Sequence, residues 1–434
     1  MRPVTEIALQ TLSPAVQTLP VGQERWQLHS HHSGSHKASH RMVKEHLKQT
    51  TQTSGWKWPK KPIFFLSDPH ADAEAFLASL LATGGIKPPK QHDKIKLTRL
   101  GQRAHFVIGG DCLDKGPSNL RLLESIRALY RAGAKVTLIA GNHDMRLLMG
   151  LRALEGQRSV LTEHLFVRMG KKVVPLIAEV FTRYVAPNPR PKNCPSLDAC
   201  RRALYPRNDW FYRFPQAVEG RMPPEAIARE LERMGKKIKT FEAECLEYGM
   251  TLQDVYVTAK VLQKLFLKPK GDYGWFFKEM TLAAKQGSFL FLHAGLDDSV
   301  THILKRKGVR ALNRLYKSQL KKDLFEFYYG TVANVMRTKY RPVDLPLTPK
   351  GVRRIHRLGI FAVVHGHLNR TEGQRIIVKQ GLLHIEGDIT LDRNSRRKEG
   401  LEGIGLGFTQ ICPSGRVIGV SRDYPRQKVF TPAN

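Results

Sequence analysis

The stretch HFVIGGDCLDKGPSNLRLLESIRALYRAGAKVTLIAGNHD, residues 105–144, decides the fold class. Its apolar residues 106–108 predict a short buried strand, and residues 136–140 predict a second one. Between them Gly133 ends a predicted helix. The apolar side of that helix recurs at helical spacing, at Leu120, Leu123, Ile126 and Leu129. A strand, a helix and a strand in this order indicate a β-α-β unit with neighbouring parallel strands.

Five apolar runs in the chain each end at a side chain that can bind a metal. They are FFLSDPH (64–70), FVIGGDCLD (106–114), TLIAGNHD (137–144), FLFLHAG (289–295) and AVVHGH (362–367). Ligands of open α/β sheets collect at the carboxyl ends of strands, so we expect the ends of these five runs to converge. Aspartate, histidine and asparagine together suit a borderline divalent cation.

Each of these side chains also has a structural interpretation. Asp68 could cap a helix, and Asp111 and Asp114 could stabilise a turn. His293 and His367 could be hydrogen-bonded histidines of the core. Because five such residues follow five strands in sequence, the joint pattern favours a metal site over five separate coincidences.

The order of the five motifs resembles that of the calcineurin-like metallophosphoesterase superfamily, which reads D-x-H, G-D-x-x-D, G-N-H-[DE], H and G-H. The details GDCLDKGP, GNHD, LHAGL and VVHGH are similar to its phosphoprotein-phosphatase branch, including bacterial members of the dinucleoside-tetraphosphatase type. The motifs span residues 66–367. The resemblance implies an α/β protein built as a four-layer α/β/β/α sandwich with a helical insertion.

The resemblance also implies two divalent cations, whether Mn, Fe, Zn or Ni, which lower the pKa of a shared water that attacks phosphorus in line. Asp111 would bridge the two cations. The other implied ligands are Asp68 and His70 for the first cation, and Asn142, His293 and His367 for the second. His143 would act as the general acid and Asp114 would orient it.

Three basic residues are candidates for contact with the substrate. Lys115 stands where many relatives carry an arginine that binds the phosphate, and a lysine supplies the charge without the bidentate fork. Arg146 and Arg370 adjoin two of the motifs. We expect His365 to support the site rather than to bind metal, and Glu386 to serve the local hairpin.

The remainder of the chain divides by composition. Residues 1–55 contain His29, His31, His32, His36, His40 and His46 without apolar periodicity, and predict a disordered tail, with loose metal capture as the alternative. Residues 56–144 and 288–434 form the predicted catalytic domain. Residues 145–287 predict a mostly helical insertion that forms a cap or side lobe.

The formal net charge of +33 predicts an anionic partner. We expect a phosphatase that acts on phosphoproteins or small phosphorylated molecules. The alternative is a nucleotide, dinucleoside polyphosphate or nucleic-acid phosphoesterase, because residues 299–434 carry 26 Lys and Arg against 10 Asp and Glu. A third alternative is a binding protein that keeps the fold without catalysis. The five scattered cysteines, with no long apolar run, predict a cytoplasmic protein without a membrane span.

Overall fold

The computed structural model describes residues 12–30 and 55–432 and contains two β-sheets. The strands are β1 Gln23–Arg25, β2 Leu28–Ser30, β3 Ile63–Leu66, β4 His105–Ile108, β5 Lys135–Ile139, β6 Met280–Thr281, β7 Ala284–Gln286, β8 Phe289–Phe291, β9 Ala362–His365, β10 Arg375–Lys379, β11 Leu382–Glu386, β12 Gly407–Cys412, β13 Arg416–Ser421 and β14 Gln427–Phe430. The first sheet has the order β1-β14-β13-β12-β3-β4-β5-β6, and the second has the order β2-β10-β11-β9-β8-β7.

Helices surround both sheets. They are α1 Leu12–Gln17, α2 Ala73–Ala82, α3 Arg99–Arg103, α4 Asn119–Arg131, α5 Asn142–Glu155, α6 Leu165–Arg168, α7 Val174–Val180, α8 Leu197–Leu204, α9 Trp210–Ala217, α10 Pro224–Glu247, α11 Leu252–Leu267, α12 Gly274–Glu279, α13 Asp298–Lys322, α14 Leu324–Tyr329, α15 Thr331–Asn334, α16 Pro349–His356 and α17 Arg393–Lys398. Lys171–Val173 forms a 3-10 turn and Phe181–Val185 a π-helical turn. None of the helices in the described part of the chain is both long enough and apolar enough to cross a bilayer.

The β-α-β prediction is confirmed. Strand β3 pairs in parallel with β4, and β4 pairs in parallel with β5. The four apolar residues predicted for the face of α4 are all buried. Strands β3 and β4 are buried along their whole length, whereas β5 is buried only at its end, at Leu138 and Ile139. Burial on both faces explains why the apolar runs of β3 and β4 are unbroken.

The two sheets pack face to face. Phe65 of β3 points between the sheets, where its ring centroid lies 6.1 Å from that of Phe291 in β8. The neighbouring Phe64 points to the opposite face, into the core shared with the helices. In the second sheet Leu290 and Val363 likewise pack against the helical side. The chain therefore forms the four-layer α/β/β/α sandwich that the sequence predicted.

The chain between β5 and β6 is long and helical. Within the described residues no strand occurs between Ile139 and Met280, and helices α5 to α12 fill this interval. Strand β6 then pairs in parallel with β5, so the chain re-enters the first sheet next to the strand it left. The division into a catalytic domain and an insertion at residues 145–287 stays a prediction.

The prediction of a disordered tail over residues 1–55 is wrong for residues 12–30. Strand β1 pairs in parallel with β14 in the first sheet, and β2 pairs in parallel with β10 in the second. Between them Trp26 is buried in the core between the sheets. His29 lies in β2. The other histidines of the predicted tail, His31, His32, His36, His40 and His46, lie outside the described residues.

Because Trp26 fills the space between the two sheets, Trp26→Ala should lower the free energy of unfolding by about 3–5 kcal/mol, the usual effect of truncating a buried large aromatic residue. The measurement is denaturant unfolding followed by circular dichroism. Val21→Ala is the matched control, because Val21 is 89% exposed. Equal stability of the two variants would contradict the assignment of residues 12–30 to the folded core.

Candidate metal centre

The loops after five strands meet at one edge of the sandwich. Backbone hydrogen bonds join them: the Asp68 N–H donates to the carbonyl of Gly110 over 3.1 Å, and the His70 N–H donates to the carbonyl of Asp111 over 3.0 Å. A third bond runs from the backbone N–H of Gly366 to the carbonyl of His293 over 2.9 Å. The loops that carry the predicted ligands are therefore fixed to each other by their own backbone.

These loops are also strained. Seven of the ten described non-glycine residues with a positive φ belong to them, namely Asp68, His70, Ala71, Asp111, Asp114, Lys115 and His367. A non-glycine residue in this region costs on the order of 1–3 kcal/mol, and such strain clusters at functional sites. The surrounding core must therefore be rigid enough to hold the backbone of these loops in this conformation.

The first group of predicted ligands consists of Asp68, His70 and Asp111. One ligand atom from each lies within 4.8 Å of the others, and all three residues are buried. The His70 ring places Nδ1 3.3 Å from the carbonyl oxygen of Leu113. Its Nε2 therefore faces the two carboxylates, at 3.9 Å from Asp68 Oδ1 and 3.8 Å from Asp111 Oδ2.

The second group combines Asp111 with His293 and His367, again with ligand atoms within 4.8 Å of one another. His293 Nδ1 lies 2.8 Å from the carbonyl oxygen of Gly109, which leaves Nε2 to face Asp111 Oδ2 at 3.4 Å. The side-chain amide of Asn142 faces both rings: its Oδ1 lies 3.2 Å from His293 Nε2, and the same end of the amide lies 3.0 Å from His367 Nδ1. These groups all accept hydrogen bonds when the rings are neutral, so a cation between them would satisfy all of them at once.

The electrostatics of this site favour positive charge next to its carboxylates. Burial, together with the charge of Asp111, raises the pKa of Asp68 to about 6. Burial opposes protonation of His293, yet the carboxylates of Asp111 and Asp68 raise its pKa to about 10. A proton on His293 thus compensates the buried carboxylates in the protein alone. The donor set and its charge fit one or more divalent cations, and Asp111 belongs to both groups of ligands.

His143 and Asp114 form a buried pair next to these groups. His143 Nδ1 lies 2.8 Å from Asp114 Oδ2, and His143 Nε2 lies 3.9 Å from Asp111 Oδ2. Burial lowers the pKa of His143 well below its usual value and raises the pKa of Asp114 to about 7. The contact with Asp114 fixes the orientation of the His143 ring, and Nε2 of His143 points toward the predicted metal site.

The three predicted substrate contacts lie in different places. Arg146 lines a cavity of about 510 Å³ that also contacts Asn142 and His367. The Lys115 ammonium stands 2.7 Å from His70 Nε2, outside the lining of that cavity. Arg370 is not brought to the cavity either, because its guanidinium forms an ion pair with Glu386 at 2.6 Å.

Other predicted and unpredicted residues support the site. Asp144 fixes the loop before it, since its Oδ1 accepts from the backbone N–H groups of Cys112 at 2.9 Å and Leu113 at 3.1 Å. His365 is buried and directs Nδ1 to the carbonyl of Gly366 at 3.0 Å. The sequence interpretation missed Arg337, which lines the cavity. Its only local signal is a short basic run, RTKYR at residues 337–341, that follows no strand.

Comparison with known protein families gives a match over part of the chain. Residues 61–216 match the sequence model of the family described as Calcineurin-like phosphoesterase. No curated protein matches the chain.

Among solved structures, the fold is similar to a cold-active protein tyrosine phosphatase at 14% identity, covering 89% of this chain and 83% of the other with a TM-score of 0.45. A cold-active protein-tyrosine phosphatase of a psychrophile, Shewanella sp., matches at 13% identity, covering 88% and 84%, with a TM-score of 0.43. A protein serine/threonine phosphatase from Saccharomyces cerevisiae with similarity to human PP5 matches at 12% identity, covering 90% and 87%, with a TM-score of 0.36.

Gly366 offers a test of the first group of ligands. A Cβ at this position would collide with Asp68 Oδ2 and Ser67 Oγ. Gly366→Ala should therefore displace the Asp68 carboxylate and weaken Mn²⁺ binding about tenfold or more, as the loss of a ligand's support usually does. The measurement is calorimetric titration with Mn²⁺. Gly235→Ala is the control, because a Cβ there meets no atom within 4 Å. Unchanged Mn²⁺ affinity in Gly366→Ala would remove Asp68 from the site.

Proposed function

We propose that the chain is a phosphoester hydrolase of the calcineurin-like type, whose family model matches residues 61–216, and that it hydrolyses phosphomonoesters with two divalent cations. The observation that carries the proposal is the position of Asp111, whose carboxylate belongs to both groups of potential ligands. Asp68 and His70 would complete the first cation site. Asn142, His293 and His367 would complete the second.

A pair of bound divalent cations would lower the pKa of a water molecule and draw charge from the phosphoryl oxygens. The chain's own residues prepare this site. The backbone N–H of His143 donates to Asp111 Oδ1 over 2.8 Å, so the shared carboxylate has one fixed orientation. His293 and His70 each have one ring nitrogen turned to a backbone carbonyl, which selects the other nitrogen as the ligand.

His143 is the proposed general acid. Its Nε2 would give a proton to the leaving oxygen, and Asp114 would hold the ring and stabilise the protonated form. The pKa of His143 lies well below its usual value because the ring is buried. A bound phosphate dianion would raise it, since a nearby negative charge favours the imidazolium. We therefore expect His143 to become protonated when the substrate binds.

Arg146 and Arg337 are the proposed contacts of the phosphoryl oxygens. Both line the cavity that includes Asn142 and His367. In the part of the chain that the structure describes, neither arginine has a carboxylate oxygen within 4.0 Å. A guanidinium that forms no ion pair at such a site is available to bind a phosphate in the bidentate manner.

The natural substrate is proposed as a phosphorylated protein or small molecule, in keeping with the resemblance to phosphoprotein phosphatases. A specific observation favours the second candidate, a nucleotide or other polyphosphate: the cavity beside the metal site is lined mostly by basic residues. A cytoplasmic location and the choice among Mn, Fe, Zn and Ni also stay predictions.

A substrate panel tests the proposed function. The full chain with added Mn²⁺ is assayed on p-nitrophenyl phosphate, phosphopeptides, dinucleoside polyphosphates and single-stranded oligonucleotides. We expect metal-dependent release of phosphate from at least one monoester, and loss of that activity when a chelator removes the metal. A failure to hydrolyse every member of the panel at all metal concentrations would contradict the proposal.

His143→Ala separates acid catalysis from metal binding. We expect kcat on an alkyl phosphate to fall by about 10²–10⁴-fold, because the alkoxide then leaves without a proton. On an aryl phosphate with a good leaving group the loss should be much smaller. His302→Ala is the control, since His302 is an exposed histidine of α13. Equal losses on the two substrates would mean that His143 has another role.

A further inference from the structure

The cavity beside the metal centre is strongly cationic. It has a volume of about 510 Å³, within the range of roughly 300–1,000 Å³ that is usual for small-molecule sites. Nine of its fifteen lining residues are lysines or arginines, and none is an aspartate or glutamate. A concave surface with this composition concentrates anions.

Three of these nine charges are paired within the protein. Arg168 pairs with the buried Glu230, with Nη2 3.0 Å from Oε2, Lys171 pairs with Glu244 at 3.5 Å, and Arg341 pairs with Asp344 at 3.0 Å. Among the described residues, Lys172, Arg233 and Lys237 have no carboxylate oxygen within 4.0 Å. Arg233 and Lys237 are one turn apart on α10, and Lys237 Nζ lies beside Gly170, two residues before Lys172.

Burial and neighbouring basic residues disfavour the charged forms of Lys172 and Lys237. Burial, Arg168 and Arg146 lower the pKa of Lys237 to about 6. Burial, Lys115 and Arg146 lower the pKa of Lys172 to about 8. A bound anion would remove the repulsion and restore both charges. The wall of the cavity thus contains basic groups whose charged forms an anionic ligand would stabilise.

The cavity has two ends that belong to different parts of the chain. One end, at Asn142 and His367, adjoins the metal centre. The other end is formed by α10, a 24-residue helix of the long segment between β5 and β6. The side chain of Lys237 reaches back from this helix to donate to the carbonyl of Arg168, so its ammonium has a fixed place in the wall.

We propose that Lys172, Arg233 and Lys237 form a second phosphate-binding subsite, and that the substrate is a small molecule with at least two phosphate groups. One phosphate reacts at the metal centre while the other, unreacting, binds at the subsite on α10. The inference rests on the proposed function for its first phosphate. A substrate with a single phosphate, including a singly phosphorylated peptide, would leave the charges of the subsite unpaired.

Two kinds of molecule share this chemistry: those with contiguous phosphates and those with phosphates on separate carbons. Calorimetric titration of the Mn²⁺-loaded full chain with orthophosphate, tripolyphosphate and a hexose bisphosphate distinguishes them. Free Mn²⁺ is held in excess, so that chelation by the probes is equal for every variant. We expect at least one of the two larger probes to bind about tenfold or more tightly than orthophosphate, as one additional charge-assisted contact allows.

Single substitutions test which residues cause the tighter binding of the larger probe. Lys237→Gln and, independently, Arg233→Gln should each weaken the preferred probe about tenfold while changing orthophosphate binding by less than about twofold. Arg233 is exposed, so its substitution remains informative if Lys237→Gln disturbs folding. Lys236→Gln is the matched control: it removes the same charge from the same helix, but Lys236 pairs with Glu232 at 2.6 Å on the exposed face.

Each outcome decides the proposal. Preference for tripolyphosphate supports contiguous phosphates, and preference for the bisphosphate supports separated ones. Equal binding of orthophosphate and both larger probes overturns the subsite, as does an equal effect of Lys236→Gln and Lys237→Gln. Failure of the proposed function has a different signature, namely absence of Mn²⁺-dependent hydrolysis of any phosphoester, whatever the binding data show.

Discussion

The carboxylate of Asp111 is the constraint on which the rest of the structure depends. It must face Asp68 and His70 on one side and His293 and His367 on the other, in a buried place where an uncompensated charge is costly. The protein holds it there with a hydrogen bond from the backbone N–H of His143 and with a left-handed backbone at Asp111 itself, φ 51°. A buried carboxylate in this position is stable only if positive charge surrounds it.

The architecture follows from that requirement. Three parallel strands of the first sheet and two of the second end at the same edge, so each contributes a loop to the site. Glycines let these loops touch: a Cβ on Gly141 would collide with the backbone nitrogen and Oδ1 of Asp111. The core between the sheets supplies the rigidity that keeps seven strained residues in place.

The local features of the fold and of the site could be predicted from the sequence. Periodic apolar residues predicted the β-α-β unit, and the polar residues at the ends of apolar runs predicted which side chains the fold would bring together. Both signals arise within short windows. Asp144 shows the limit of that approach, because nothing in its local sequence indicates that its carboxylate accepts hydrogen bonds from the backbone of residues 112 and 113.

What the sequence did not predict depends on contacts between distant segments. Strands β1 and β2 are three residues each and gain their stability by pairing with strands nearly 350 residues or more away, which leaves no periodic pattern. The cationic cavity likewise depends on contacts between distant segments of the chain. Lys172, Lys237 and Arg337 lie on three separate elements without fixed spacing, and only the folded chain shows that they surround one volume.

Diffraction from crystals grown with Mn²⁺, with data collected near the manganese absorption edge, tests the central claim most directly. The account predicts two anomalous peaks about 3.5–4 Å apart, with Asp111 as a ligand to both. The first should also contact Asp68 and His70, and the second His293 and His367. A single peak, or two peaks that do not share Asp111, would contradict the two-cation site.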